Sequence, residues 1–135
     1  MTLFVAAVCA LVRRDERILS MRRAATRDAA PGIWEALSGR IEPGESPLEA
    51  VHREIAEESG LSVRVHPRPL VAHVSDRAGI PMLIVYYLAD WLEGEVRLSD
   101  EHDAFAWLDP DGFARRTPIG PLADAVRHVL TGGPL

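Results

Sequence analysis

Apolar residues run almost unbroken from Leu3 to Val12, stop at the polar stretch Arg13 to Arg17, and resume from Ile18 to Met21. This pattern predicts a β-hairpin. Ala24 to Gly32 is a loop of small residues, and Ile33 to Leu37 is a short apolar stretch. Ser38 to Glu45 reads as a glycine-bearing loop with Pro43-Gly44 as its turn signal. Ser46-Pro47-Leu48-Glu49 then opens a helix. Serine caps, proline suits the first helical position, and glutamate three residues on completes a capping box. Gly60 stands where a left-handed C-terminal cap belongs, so the helix is expected over 47–59. Further strands are predicted at Leu61–Val65, Leu70–Val74, Met82–Trp91, Val96–Leu98 and Ala104–Leu108, with a turn at Ser75–Pro81. Leu122, Ala125, Val126, Val129 and Leu130 share one face of a closing helix, Pro121–Leu130. Strands on both sides of a central helix point to one mixed α/β (α+β) domain spanning 1–135.

Length and composition narrow the classes. A chain of 135 residues suits a single domain with its own core. It has a single cysteine, Cys9, which excludes an intramolecular disulfide framework and a cysteine-built zinc site. Cys9 lies in an apolar strand and is expected as a buried small hydrophobe. No apolar run reaches membrane-spanning length, and Met1 to Leu11, without a basic leader, reads as a strand rather than a signal peptide. The expected location is the cytoplasm. All 15 basic residues are arginine, which excludes lysine nucleophiles but not phosphate recognition. A net charge of −5 argues against a nucleic-acid polymer as partner.

The distribution of acid matters more than its total. Seven carboxylates crowd the stretch from Glu35 to Glu58, against two arginines, Arg40 and Arg53. With Glu54 at zero on a helical wheel, Glu57 falls at about 300° and Glu58 at about 40°, so the three share a face. Leu48, Val51 and Ile55 form an adjacent apolar stripe. Glutamates at these spacings repel, and the last two meet the unfavourable end of the helix dipole. Arg53 can pair with Glu57 and Glu49, which offsets only part of that. Hard oxygen ligands in this density suit Mg²⁺ or Mn²⁺. Gly39 permits close backbone approach, the Ser38 carbonyl is a candidate ligand, and Glu45 can brace Arg53.

Residues 39–61 read GRIEPGESPLEAVHREIAEESGL. This resembles the Nudix box: glycine, five residues, glutamate, seven residues, Arg-Glu-aliphatic, one residue, Glu-Glu, one residue, glycine, aliphatic. Gly39, Glu45, Arg53, Glu54, Ile55, Glu57, Glu58, Gly60 and Leu61 fill every position. At this composition the chance of that is on the order of 10⁻⁸ per window. The chain departs just upstream, where many members have Pro-Gly and this one has Leu37-Ser38.

The resemblance implies an αβα sandwich with a mixed sheet and a metal-dependent hydrolysis of a nucleoside diphosphate linked to another group. It implies Glu57 and Glu58 as main metal ligands and Glu54 as a further ligand or the base. Arg53 and Glu45 would orient the carboxylates, with the Ser38 carbonyl as backbone ligand. Glu101, from a late loop, is a candidate ligand or base; His102 beside it reads more readily as a surface residue. Arg22, Arg23 and Arg40 are candidate phosphate grips, with Gly39 at the substrate. Phe4, Trp34, Tyr86 and Trp91 are candidates for stacking a base, though core packing suits most of them. His66 and His73 show no ligand-like spacing.

The family's coenzyme A and reduced-nicotinamide signatures are not apparent. The proline and tyrosine associated with ADP-ribose and dinucleoside polyphosphates are absent, since 76–79 read Asp76, Arg77, Ala78, Gly79. The expected reaction is therefore cleavage of a nucleoside or deoxynucleoside triphosphate to monophosphate and pyrophosphate. A nucleoside diphosphate sugar hydrolase and a non-catalytic nucleotide-sensing module are the alternatives. A sensor would be expected to lose ligand carboxylates and to carry an output domain, for which 135 residues leave no room. A homodimer stays open.

Overall fold

The computed structural model describes residues 1–26, 30–77 and 79–135, without the side chain of Arg77. The predicted loop Ala24–Gly32 and turn Ser75–Pro81 therefore lie partly outside the described residues. In chain order the elements are β1 (Val5–Arg14), β2 (Arg17–Arg23), β3 (Trp34–Glu35), β4 (Leu37–Arg40), α1 (Pro47–Ser59), β5 (Ser62–Val65), β6 (Val71–Arg77), β7 (Ile80–Glu93), β8 (His102–Leu108), α2 (Pro110–Arg116) and α3 (Gly120–Thr131).

All eight strands join one mixed sheet along the path β3-β2-β1-β7-β5, with β4 on β1, β6 on β7 and β8 on β2. The β1–β7 pair is parallel and the other pairs are antiparallel. β1 is covered on both faces, which explains its near-continuous apolar run. Val8, Ala10 and Val12 face the core beneath α1, together with Val51 and Ile55. Cys9 and Leu11 alternate to the other face, against Phe113 of α2 and Leu122, Ala125 and Val126 of α3. The result is the αβα sandwich expected. Cys9 is buried, and that burial raises its thiol pKa far above the ordinary value.

Three local expectations change. Ser38 to Arg40 is strand rather than loop. β2 pairs with β1 only through Arg13–Arg14 and then turns to β8, so the first half of β1 needs another partner. β4 supplies it, with Ala7 opposite Arg40 and Cys9 opposite Ser38. Val96–Leu98 is not a strand; its Arg97 amide donates to the Ser59 carbonyl at 2.9 Å and ties the loop to the end of α1. α2 was not expected. Its start was nonetheless written in the chain: Asp109 caps by accepting from the Gly112 amide at 2.7 Å, Pro110 follows, and Phe113 is fully buried.

Candidate active site

α1 forms as its sequence dictates. The Ser46 hydroxyl accepts from the Glu49 amide at 3.1 Å, and the Glu49 carboxylate accepts from the Ser46 amide at 3.2 Å. Gly60 closes the helix in the left-handed region at φ 69°. Of the two helix partners expected for Arg53, Glu57 is met at 3.4 Å, whereas Glu49 is taken up by this cap.

The buried face of α1 comprises Ala50, Val51, Glu54, Ile55, Glu58 and Ser59. Two glutamates thus occupy the stripe that packs on the sheet. The wheel placed Glu54, Glu57 and Glu58 together, but the structure separates them: the Glu57 side chain is 60% exposed, while Glu58 is 2% exposed. Both carboxylate oxygens of Glu58 are buried with no hydrogen-bond donor. Burial, reinforced by Glu101, Glu54 and Glu35, pushes the Glu58 carboxyl up to about 11 in the metal-free chain. Glu54 is raised as well, chiefly by burial and against the pull of Arg53.

Arg53 organises the rest. Its Nε and Nη2 donate to Glu45 at 2.7 and 2.9 Å, a two-pronged grip. Nη1 donates to Glu54 Oε1 at 2.7 Å, and Nη2 also donates to the Arg40 carbonyl at 3.0 Å. The hydrogen bond from Arg53, helped by the Glu42 amide, holds the Glu45 carboxyl down at about 2. Gly39 on β4 completes the setting. A Cβ there would lie 2.1 Å from Glu54 Cδ and Oε1. The close approach predicted at Gly39 is thus made by the Glu54 carboxylate.

A second set arrives from the far side of the chain through β2. Met21 pairs with Glu35 of β3, and Arg23 pairs with His102 of β8. The end of β2 therefore gathers Arg23, Glu35 and His102. His102 Nε2 lies 2.8 Å from Glu35 Oε2, and Arg23 Nη1 donates to the same oxygen at 3.3 Å. Contrary to its reading as a surface residue, His102 is 3% exposed. Glu101 comes with it, its carbonyl accepting from the Ala24 amide at 2.9 Å. Glu58, Glu101 and His102 each present one candidate ligand atom, and these lie within 4.8 Å of one another. Glu57 is outside this trio. The donorless, buried oxygens of Glu58, beside the Glu101 carboxylate and an imidazole, are a donor set that fits a divalent cation.

Glu35, Arg23 and Ser38 also border a cavity of about 310 Å³, whose apolar walls include Ile33, Ile84, Tyr86 and Ile119. Of the other arginines, Arg22 is spent on Asp103 at 2.6 Å, and the exposed Arg40 contributes its carbonyl to Arg53. Among the stacking candidates, Tyr86 lines the cavity beside His73, with ring centroids 5.2 Å apart. Trp34 lies under Arg116 at 4.8 Å and Trp91 under Arg14 at 3.8 Å, while Phe4 is exposed before β1. Glu35 was not named as a site residue, although it opens the acidic stretch and Trp34-Glu35 before the box resembles the family loosely. His102 had a signal: extending β8 back by two residues puts it on the face of Ala104 and Ala106.

The family model for the NUDIX domain matches residues 3–129. The chain belongs to the NUDIX family. Among curated relatives, an octanoyltransferase of Myxococcus xanthus is 37% identical over 84% of this chain, but the chain spans only 32% of that protein. A CTP pyrophosphohydrolase of Escherichia coli is 34% identical, covering 84% of this chain and 82% of its own. A nucleoside triphosphatase NudI of Salmonella arizonae is 30% identical, covering 91% and 92%. The fold matches the crystal structure of a MutT protein from Methanosarcina mazei at a TM-score of 0.83, with 21% identity over 94% of this chain and 93% of that one. The chain is thus a NUDIX hydrolase, of a family whose enzymes generally need a divalent metal. No helix among the described residues is long and apolar enough to cross a membrane.

The Arg53 grip gives a first expectation for this NUDIX site. Arg53→Lys keeps the charge but loses the fork that spans Glu45 and Glu54. Stability should fall by about 1–2 kcal/mol in urea denaturation of the metal-free protein, and turnover by about 10-fold or more. A substitution that leaves both unchanged would show that charge alone suffices.

Proposed function

We propose that the chain hydrolyses a nucleoside or deoxynucleoside triphosphate to the monophosphate and pyrophosphate, cleaving the bond between the α and β phosphates. The observation that carries this reading is the adjacency of two things. A trio of possible ligands, buried Glu58 and His102 with half-buried Glu101, meets through Glu35 a base-sized, mostly apolar cavity with Arg23 in its wall. The similarity to a CTP pyrophosphohydrolase and a nucleoside triphosphatase, whose lengths this chain largely covers, supports the same substrate class.

In this reading Glu58 and Glu101 hold the divalent ion, with Glu57 at the exposed flank and the Ser38 carbonyl as further donors. Mg²⁺ or Mn²⁺, when bound, neutralises phosphate charge and lowers the pKa of water. Glu54 takes the proton of the attacking water. Its carboxylate is fixed by Arg53 on one side and by the absence of a side chain at Gly39 on the other. Glu45 acts through Arg53 and does not touch substrate. Arg23 adds positive charge beside the cavity. Arg40 is the second cation near Gly39, while Arg22 is committed to Asp103.

The test is a panel of nucleoside triphosphates, their deoxy forms and nucleoside diphosphate sugars, offered to chelator-treated protein with and without Mg²⁺. Products are identified by chromatography. Monophosphate plus pyrophosphate, formed only with metal, is the expected result, with Glu54→Gln slower by about 10³-fold. Cleavage confined to the sugar conjugates would replace the substrate assignment. Tight nucleotide binding without any cleavage would replace the enzyme by a sensor.

A further inference from the structure

The ring of His102 is placed as metal-binding histidines are. Its Nε2 lies 2.8 Å from Glu35 Oε2, and Arg23 Nη1 donates to the same oxygen at 3.3 Å. With Nε2 as the donor to that carboxylate oxygen, Nδ1 keeps a lone pair. Nδ1 is buried and has no hydrogen-bond partner. His102 is 3% exposed. The remaining orphaned side-chain atoms among the described residues are Glu58 Oε1 and Oε2, and a ring nitrogen of His102 lies within 4.8 Å of ligand oxygens of Glu58 and Glu101. A carboxylate that orients an imidazole and strengthens it as a base is the arrangement that prepares histidine to bind metal.

We propose that His102 is a nitrogen ligand of the metal centre, and that this donor biases the site toward Mn²⁺ over Mg²⁺. The proposal rests on the reading that Glu58 and Glu101 hold a divalent cation. Imidazole suits transition ions better than Mg²⁺, and the hard carboxylates around it keep Mn²⁺ within reach. Glu35 and Arg23 are then positioning residues: they set the tautomer and ring plane of His102 while bordering the cavity.

The test loads the full chain, stripped by chelator and free of nucleotide, with one equivalent of Mn²⁺ and reads electron spin-echo modulation. Wild-type protein should show nitrogen coupling of a directly bound imidazole, and the frequencies should change when histidine is supplied as ¹⁵N. That arm needs no variant. In His102→Gln the coupling should vanish. Mn²⁺ affinity by titration should fall about 10- to 100-fold, and Mg²⁺ affinity less than threefold. Bound Mn²⁺ without an isotope-sensitive coupling, or a coupling that survives in His102→Gln, would overturn the proposal and leave the carboxylate site standing. Wild-type protein that binds no divalent cation would overturn both.

Discussion

Glu58→Gln is expected to abolish hydrolysis while making the metal-free protein more stable. In the folded chain Glu58 is buried with two orphaned oxygens, and its neighbours Glu54, Glu101 and Glu35 all oppose its ionisation. Its folded pKa lies far above the unfolded one. The sign follows directly: the proton is bound more tightly in the fold, so this stability is complete below about pH 4.5 and is lost as pH rises toward the folded value. Near neutral pH the penalty carried by glutamate is on the order of 2 kcal/mol. Glutamine does not pay it, and its amide has Glu101 close by to accept. Melting with chelator should place the variant above wild type by roughly 5–10 °C at pH 8, with the gap closing near pH 4.5. Added Mn²⁺ should then raise the melting point of wild type and leave the variant where it was. A gap that does not change with pH would show that Glu58 is not strained in the metal-free fold.

Gly39→Ala is expected to do the reverse, sparing the fold and removing activity. The new Cβ would fall 2.1 Å from two atoms of the Glu54 carboxyl group and 2.6 Å from the third. The β4 backbone is held opposite Val8 of β1, so the side chain moves rather than the strand. Glu54 then leaves the position in which Arg53 grips it at 2.7 Å. Alanine suits a strand interior slightly better than glycine, by about 0.5–1 kcal/mol, which offsets the lost ion-pair geometry. The melting point should therefore stay within a few degrees while turnover falls about 10²-fold, the cost of a misplacement near 1 Å. Turnover within threefold of wild type would mean that Glu54 acts from elsewhere.

These two substitutions separate the parts of the site. In the proposed reading Glu58 stores strain that a bound metal would relieve, while Glu54 works only where Gly39 and Arg53 let it stand. Both belong to one continuous stretch of sequence, and that is why they were legible early. Capping signals, the 3.6-residue period and the spacing of carboxylates are local properties, and α1 reproduces them from Pro47 to Ser59. The hairpin β1–β2 was legible for the same reason. α2 was equally local and went unread, since seven residues give too short a period to register.

The sequence by itself determined α1, its carboxylates, the Arg53–Glu45 brace and the β1–β2 hairpin. Only the tertiary structure decided which acids are buried together. The wheel set Glu58 beside the apolar stripe and Glu57 away from it, but grouping the three acids as one face gave Glu57 the same standing as Glu58. The strand β4 exists because β2 leaves half of β1 unpaired, a fact about partners rather than about Leu37–Arg40. Glu35 and His102 are 67 residues apart and meet because β3 and β8 flank β2 on its two edges. Backbone hydrogen bonds across the sheet set that encounter. No local propensity encodes it, and it turns an apparent surface histidine into a buried neighbour of the Glu58 and Glu101 carboxylates.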